Sequence, residues 1–193
     1  MKNIKILAFS GSIRKDSFNK KLVPHLADGA RSKGLEVTVL DLKEYPLPLY
    51  DGDLEAEQGI PENAMKLKEL FKSHQGFLIA CPEYNSSITP LLKNTLDWIS
   101  RPVEGEKTLE AFQGKFVGLA SASPGALGGL RGLVTVRSML GNIGSHVIPT
   151  QMAISKAHEA FDSNGKLKDE KSLKGIEKVG VDLAELLSKV HAS

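Results

Sequence analysis

A glycine followed closely by small hydroxyls, a guanidinium and an amide makes a segment equipped to hold a phosphate. Residues 10–19 have that make-up: Ser10, Gly11, Ser12, Ile13, Arg14, Lys15, Asp16, Ser17, Phe18 and Asn19. They lead into a stretch with helical spacing, so the free N–H groups and positive end of a helix would point at the same anion. Arg14 adds a full charge and a planar fork that matches phosphate oxygens. Two other phosphate loops fail on spacing. Counting from Gly11, the nucleotide loop G-x-x-x-x-G-K-[ST] needs glycine and lysine where Asp16 and Ser17 stand. The dinucleotide fingerprint G-x-G-x-x-G needs glycines where Ile13 and Asp16 stand. What is left is a cup for a terminal phosphate monoester. The plainer alternative is that Ser and Asn only cap a helix and Arg14 is a surface charge.

Two further segments carry ligand-type residues. Residues 81–90 run Cys81, Pro82, Glu83, Tyr84, Asn85, Ser86, Ser87, Ile88, Thr89, Pro90. A proline-rich loop with Tyr and Asn can lay an aromatic ring and backbone amides along a flat heterocycle. Cys81 invites a nucleophilic reading, but a cysteine phosphatase needs Cys-x5-Arg and Ser87 occupies the arginine position. A structural thiol, partly buried at a strand end, is the expectation. Residues 121–131 run Ser121, Ala122, Ser123, Pro124, Gly125, Ala126, Leu127, Gly128, Gly129, Leu130, Arg131. Small residues there admit close backbone approach to a ligand, and the hydroxyls offer donors. The histidines are scattered without metal-ligand spacing, and no G-x-S-x-G elbow is present.

Such loops need a scaffold. Apolar runs at 4–9, 36–40, 76–81, 116–120 and 146–148 read as buried strands. Helical periodicity separates them: Leu22, Val23, Leu26 and Ala30 after the first run, then Leu92, Leu96 and Ile99 before Ser100 after the third. Leu173, Ile176, Val179, Leu183, Leu186 and Val190 mark a final helix. Alternation of this kind predicts an α/β fold with a parallel five-stranded sheet in the flavodoxin-like order 2-1-3-4-5, a three-layer sandwich with helices on both faces. Ligands of such sheets sit beyond the carboxyl ends of the strands, where all three loops fall. Residues 43–61 read as a long loop, and 155–169 as a polar connection with a turn at Asn164-Gly165.

The 193 residues suit one domain over 1–193. Lys and Arg total 25 against 23 Asp and Glu, a net charge of +2, which argues against a nucleic-acid-binding surface. One cysteine and apolar runs far short of a membrane span predict a cytoplasmic protein without membrane contact. The N-terminal stretch reads as a strand and not as an export signal.

At this point the loops are recognisable. Gly11-Ser12-Ile13-Arg14-Lys15-Asp16-Ser17-Phe18-Asn19 followed by Leu22 resembles the G-S-x-R-x-x-S-x-N-x-x-L phosphate loop of the NADPH-dependent FMN reductase family. Pro82-Glu83-Tyr84-Asn85, Ser87, Leu92-Lys93-Asn94 and Asp97-Trp98 are similar to its second motif, and Ser123-Pro124-Gly125 with Gly128-Gly129 and Arg131 to its third. The bacterial chromate and quinone reductases are the branch most resembled. Two departures stand out: Thr89-Pro90-Leu91 where many relatives read Pro-Gly, and Ser86 where some carry an aromatic residue.

The resemblance implies FMN as cofactor and NAD(P)H as co-substrate. It implies a phosphate against Ser12, Arg14, Ser17, Phe18 (backbone N–H) and Asn19. The flavin ring would lie along Pro82, Glu83, Tyr84 and Asn85, with Ser121, Ser123 and Gly125 closing the other edge. It implies small-molecule electron acceptors (quinones, free flavin, azo compounds, chromate) reduced by two-electron ping-pong transfer. It also implies a homodimer or homotetramer with the third helix at the subunit contact, beside the loop around Tyr50; Trp98 on that helix is expected to pack either in the core or at this contact. Flavin chemistry needs no protein acid or base, so no catalytic side chain is expected. The rival readings are a flavodoxin-type electron carrier, which the near-neutral charge disfavours, and a scaffold without flavin.

Overall fold

The computed structural model describes residues 4–192. Five strands form one parallel sheet: β1 (Lys5–Ser10), β2 (Glu36–Leu40), β3 (Gly76–Ala80), β6 (Phe116–Ala122) and β7 (His146–Ile154). Between β3 and β6 in the chain, β4 (Glu83–Tyr84) and β5 (Ser87–Ile88) pair as a small antiparallel hairpin. The sheet order is β2-β1-β3-β6-β7. Counting only the parallel strands, this is the expected 2-1-3-4-5, a flavodoxin-like arrangement.

Helices α1 (Phe18–Arg31) and α7 (Glu170–Val190) cover one face; α3 (Glu62–Ser73), α4 (Pro90–Ser100) and α5 (Leu130–Asn142) cover the other. Alternate residues of β1 feed the two cores. Ile6 and Ala8 join Leu22, Leu26 and Leu183, whereas Leu7 and Phe9 join Phe71, Leu96 and Val136. Both faces are dry, which is why the strand reads as a continuous apolar run and not as an alternation.

The first and last helices meet backbone to backbone. A Cβ added to Gly29 would lie 2.0 Å from the Glu177 carbonyl oxygen, and one added to Gly180 would lie 2.1 Å from that of Leu26. Only glycine permits this approach. It seats α1, and hence the loop before it, firmly on the rest of the fold.

Several expected boundaries change. Residues 43–61 are not a plain loop: a helical turn spans Leu42–Glu44 and α2 spans Gly52–Gln58. No residue of α2 is buried, so it carries no apolar stripe to betray it. The segment is a strap held on α4. Pro48 O accepts from Trp98 Nε1 (2.8 Å) and Asn94 Nδ2 (2.9 Å), and Tyr50 N–H donates to Asn94 Oδ1 (2.7 Å). Arg101 donates to Glu55 at 2.8 Å and holds that carboxyl below its usual range. Trp98 is wholly buried under this strap, edge-on to Tyr50 at 5.0 Å, so it presents nothing to a second subunit. Strand β7 continues past Ile148 through Pro149, which an edge strand tolerates. The polar 155–169 connection holds a short helix, α6 (Ala157–Ala160), and an antiparallel bridge between Phe161 and Leu167. Its Asn164-Gly165 turn is present, with Gly165 at φ 81°.

Candidate active site

Loops at the carboxyl ends of β1, β3 and β6 converge on one edge of the sheet. The first leaves β1 at Ser10 and enters α1 at Phe18, with Ser17 as N-cap: its hydroxyl accepts from Lys20 N–H at 3.4 Å. Ser12 Oγ accepts from Arg14 N–H at 3.3 Å, which leaves the hydroxyl proton for a ligand. Phe18 and Asn19 occupy the first helical positions, where N–H groups have no intrahelical acceptor. The Arg14 side chain is exposed, and its guanidinium has no hydrogen bond or ion pair among the described residues. Unspent hydroxyls, N–H groups and a guanidinium gather within one turn. That donor set fits a phosphate dianion.

The loop is braced from three sides. Gly11 N–H donates to Ala80 O at 3.0 Å, and Thr89 Oγ1 donates to Gly11 O at 2.8 Å. Thr89 also caps α4, accepting from Leu92 N–H at 3.2 Å. A Cβ on Gly11 would lie 3.0 Å from Leu92 Cβ and 3.2 Å from Pro82 Cδ, so the first loop rests directly on the second. Thr89 is 3% exposed, and its replacement by isosteric valine strips the Gly11 carbonyl and the α4 cap together. Thr89→Val is expected to cost about 2 kcal/mol of stability, read by urea denaturation. A cost below about 0.5 kcal/mol would count against the brace.

Asn19 and Ser121 act differently from expectation. The Asn19 side chain is buried and doubly spent on Ala122 at the end of β6: Nδ2 donates to its O at 2.8 Å and Oδ1 accepts its N–H at 3.0 Å. The side chain therefore ties α1 to β6, and only its backbone N–H faces the cup. Ser121 is 0% exposed, and its hydroxyl donates to Cys81 O at 2.6 Å. It joins β6 to the strand-three loop from beneath and is a support, not a contact surface.

The second loop is the β4–β5 hairpin, turning at Asn85 (φ 49°) and Ser86 (φ 64°). Two left-handed residues in succession match the twist of a tight hairpin. Pro82 is buried at its base, while Tyr84 and Asn85 are exposed. The Glu83 carboxylate turns toward α5, accepting from Gly132 N–H at 2.8 Å, where it satisfies the start of that helix. Arg131 Nη1 reaches Ser86 Oγ at 3.3 Å. In the third loop Ser123 is half-buried and Gly125 exposed. Ser123 N–H donates to Ile154 O at 3.0 Å, and its hydroxyl accepts from Gly125 N–H at 3.4 Å. The structure thus brings Ser12, Arg14, Ser17, Phe18, Tyr84, Asn85, Ser123 and Gly125 to one edge.

Thr89 and the Glu83 cap were missed in the sequence. A Thr-Pro pair opening a helix is a start signal that marks Thr89; nothing local links Glu83 to residue 132.

Cys81 is 1% exposed, with burial raising its thiol far above the ordinary range. That burial disfavours the thiolate, the form a nucleophile needs. Cys81→Ala is expected to leave turnover within about twofold, since the thiol meets only packing and the Ile79 carbonyl, to which Sγ donates at 3.5 Å. A hundredfold loss with the site's ligand still bound would assign the thiol a chemical role instead. Among the described residues no cluster of His, Cys, Asp or Glu could hold a metal, and no helix is long and apolar enough to cross a membrane.

A 2-1-3-4-5 parallel sheet with an anion cup on its first loop defines a flavodoxin-like protein with its site at the strand ends. Comparison with known sequences makes this specific. The pattern of the NADPH-dependent FMN reductases matches residues 4–159, which hold all three loops. An NAD(P)H-dependent FMN reductase of Pseudomonas aeruginosa is 34% identical over 171 residues, covering 88% of each chain. A quinone reductase of Pseudomonas putida is 36% identical over 160 residues, covering 82% of each. Among solved structures, the flavoenzyme NAD(P)H:(acceptor) oxidoreductase FerB of Paracoccus denitrificans superimposes with a TM-score of 0.79 at 29% identity, covering 96% of this chain and 98% of its own. The chain belongs to the NADPH-dependent FMN reductase family. It is an oxidoreductase with FMN as cofactor and NAD(P)H as reductant.

Proposed function

We propose that the chain reduces quinones, and with them free flavins, azo compounds or chromate, with the FMN phosphate in the cup at residues 12–19. The observation that carries this reading is the set of unspent donors there: Ser12, Arg14, Ser17 and the N–H groups of Phe18 and Asn19. Bound FMN would take a hydride from NAD(P)H and hand both electrons to the acceptor.

The protein's own part is to bind and orient. Arg14 and the start of α1 hold the anionic end. Backbone along Pro82, Glu83, Tyr84 and Asn85 borders one side of the ring, and Ser123 with Gly125 the other. Asn19 and Ser121 keep these borders in register through their bonds to Ala122 and Cys81. Tyr84, Asn85 and residues 124–127 are exposed, which leaves the edge accessible to reductant and acceptor in turn. A single domain over 1–193 carries the site, assembles as a homodimer or homotetramer, and works in the cytoplasm.

The test is reconstitution with FMN followed by anaerobic reduction with NADH and NADPH, then reoxidation by a series of quinones and by chromate. Parallel lines in double-reciprocal plots are expected for ping-pong transfer. Failure of both nicotinamides to reduce the flavin, with rapid reduction through an added reductase, would make the protein an electron carrier.

A further inference from the structure

Among the described residues, two buried side-chain oxygens lack a hydrogen-bond partner, Ser10 Oγ and Glu106 Oε2. The second lies 2.6 Å from the Lys68 ammonium, so its charge is matched. The Ser10 hydroxyl has nothing. It is 5% exposed at the last position of β1, directly before the cup. Successive strand side chains alternate, and Ile6 and Ala8 face the core beneath α1, so Ser10 faces that side too. The first turn of α1 begins over the same end of the strand. A buried hydroxyl without a partner is unfavourable, and β1 is otherwise apolar from Ile6 to Phe9. The hydroxyl makes sense if its partner arrives with the ligand.

We propose that Ser10 is a further phosphate-binding residue, its hydroxyl donating to the FMN phosphate from the floor of the cup. The inference rests on the FMN reading above and names a contact that residues 12–19 do not include.

Apo-protein carrying Ser10→Ala is titrated with FMN and with riboflavin, following flavin fluorescence, beside the parent and Ser10→Thr. Loss of a hydrogen bond to a charged group should weaken FMN binding about tenfold or more. Riboflavin, which has no phosphate, should bind as before, and Ser10→Thr should retain most of the FMN affinity. The apo form of Ser10→Ala should melt at the same temperature as the parent or higher, because an unmatched polar group has been removed. A structural hydroxyl gives the opposite pattern: a lower apo melting temperature and equal losses for both flavins. Either result, or unchanged FMN affinity, overturns the assignment. Parent protein that binds riboflavin as tightly as FMN would overturn the phosphate cup itself, which separates the two failures.

Discussion

Gly129→Ala is expected to destabilise the protein by about 3 kcal/mol or more and to yield protein stripped of flavin. Gly129 caps α5 with φ 91°, a left-handed conformation that costs other residues about 1–2 kcal/mol. Its added Cβ would fall 1.9 Å from Ser121 Oγ and 2.9 Å from Ser121 Cβ. Ser121 has nowhere to go, being fully buried with its hydroxyl on Cys81 O. Relieving the overlap therefore breaks the bond between β6 and the second loop, and strain of this kind adds about 1–3 kcal/mol. Urea denaturation and the flavin content of purified protein measure both effects. Gly129→Ala combined with Ser121→Ala should recover part of the loss, because the colliding oxygen is gone. Equal destabilisation of the single and double variants would show that backbone strain alone is responsible.

Arg14→Ala should weaken FMN binding about tenfold to a hundredfold, the range for a hydrogen bond to a charged group. Arg14 has no protein partner to lose, so the fold should keep its stability while affinity falls. Arg14→Lys should recover the charge but not the fork, and sit between the two. The FMN affinity of the parent should also fall with salt more steeply than that of Arg14→Ala. Titration of apo-protein at two ionic strengths decides it; equal affinities for parent and variant at low salt would remove Arg14 from the site.

What could be read from the sequence, and what could not, divides along physical lines. Strand order and two-layer cover followed from continuous apolar runs alternating with periodic helices, signals that burial imposes directly. The three loops were legible because ligand-type residues collect after β1, β3 and β6. Helix α2 escaped because it buries no residue, and the far half of β7 because Pro149 breaks the apolar run of an edge strand. The roles of Asn19 and Ser121 escaped for another reason. Each side chain bonds to backbone across the sheet edge, Asn19 to Ala122 and Ser121 to Cys81, and backbone acceptors carry no residue signature. A polar residue in a ligand loop looks the same whether it holds the ligand or the loop.

The glycine contact between the first and last helices also bears on how the protein is made. Helix α1, which carries the phosphate donors, leaves the ribosome early, yet its covering partner α7 follows all five strands in chain order. Until Gly180 reaches Gly29, the α1 face bearing Leu22 and Leu26 lacks that cover. Synthesis proceeds from the N-terminus at roughly 5–20 residues per second, so this exposed stage lasts seconds. The support that the cup draws from α7 is thus completed only after the last strand has been made.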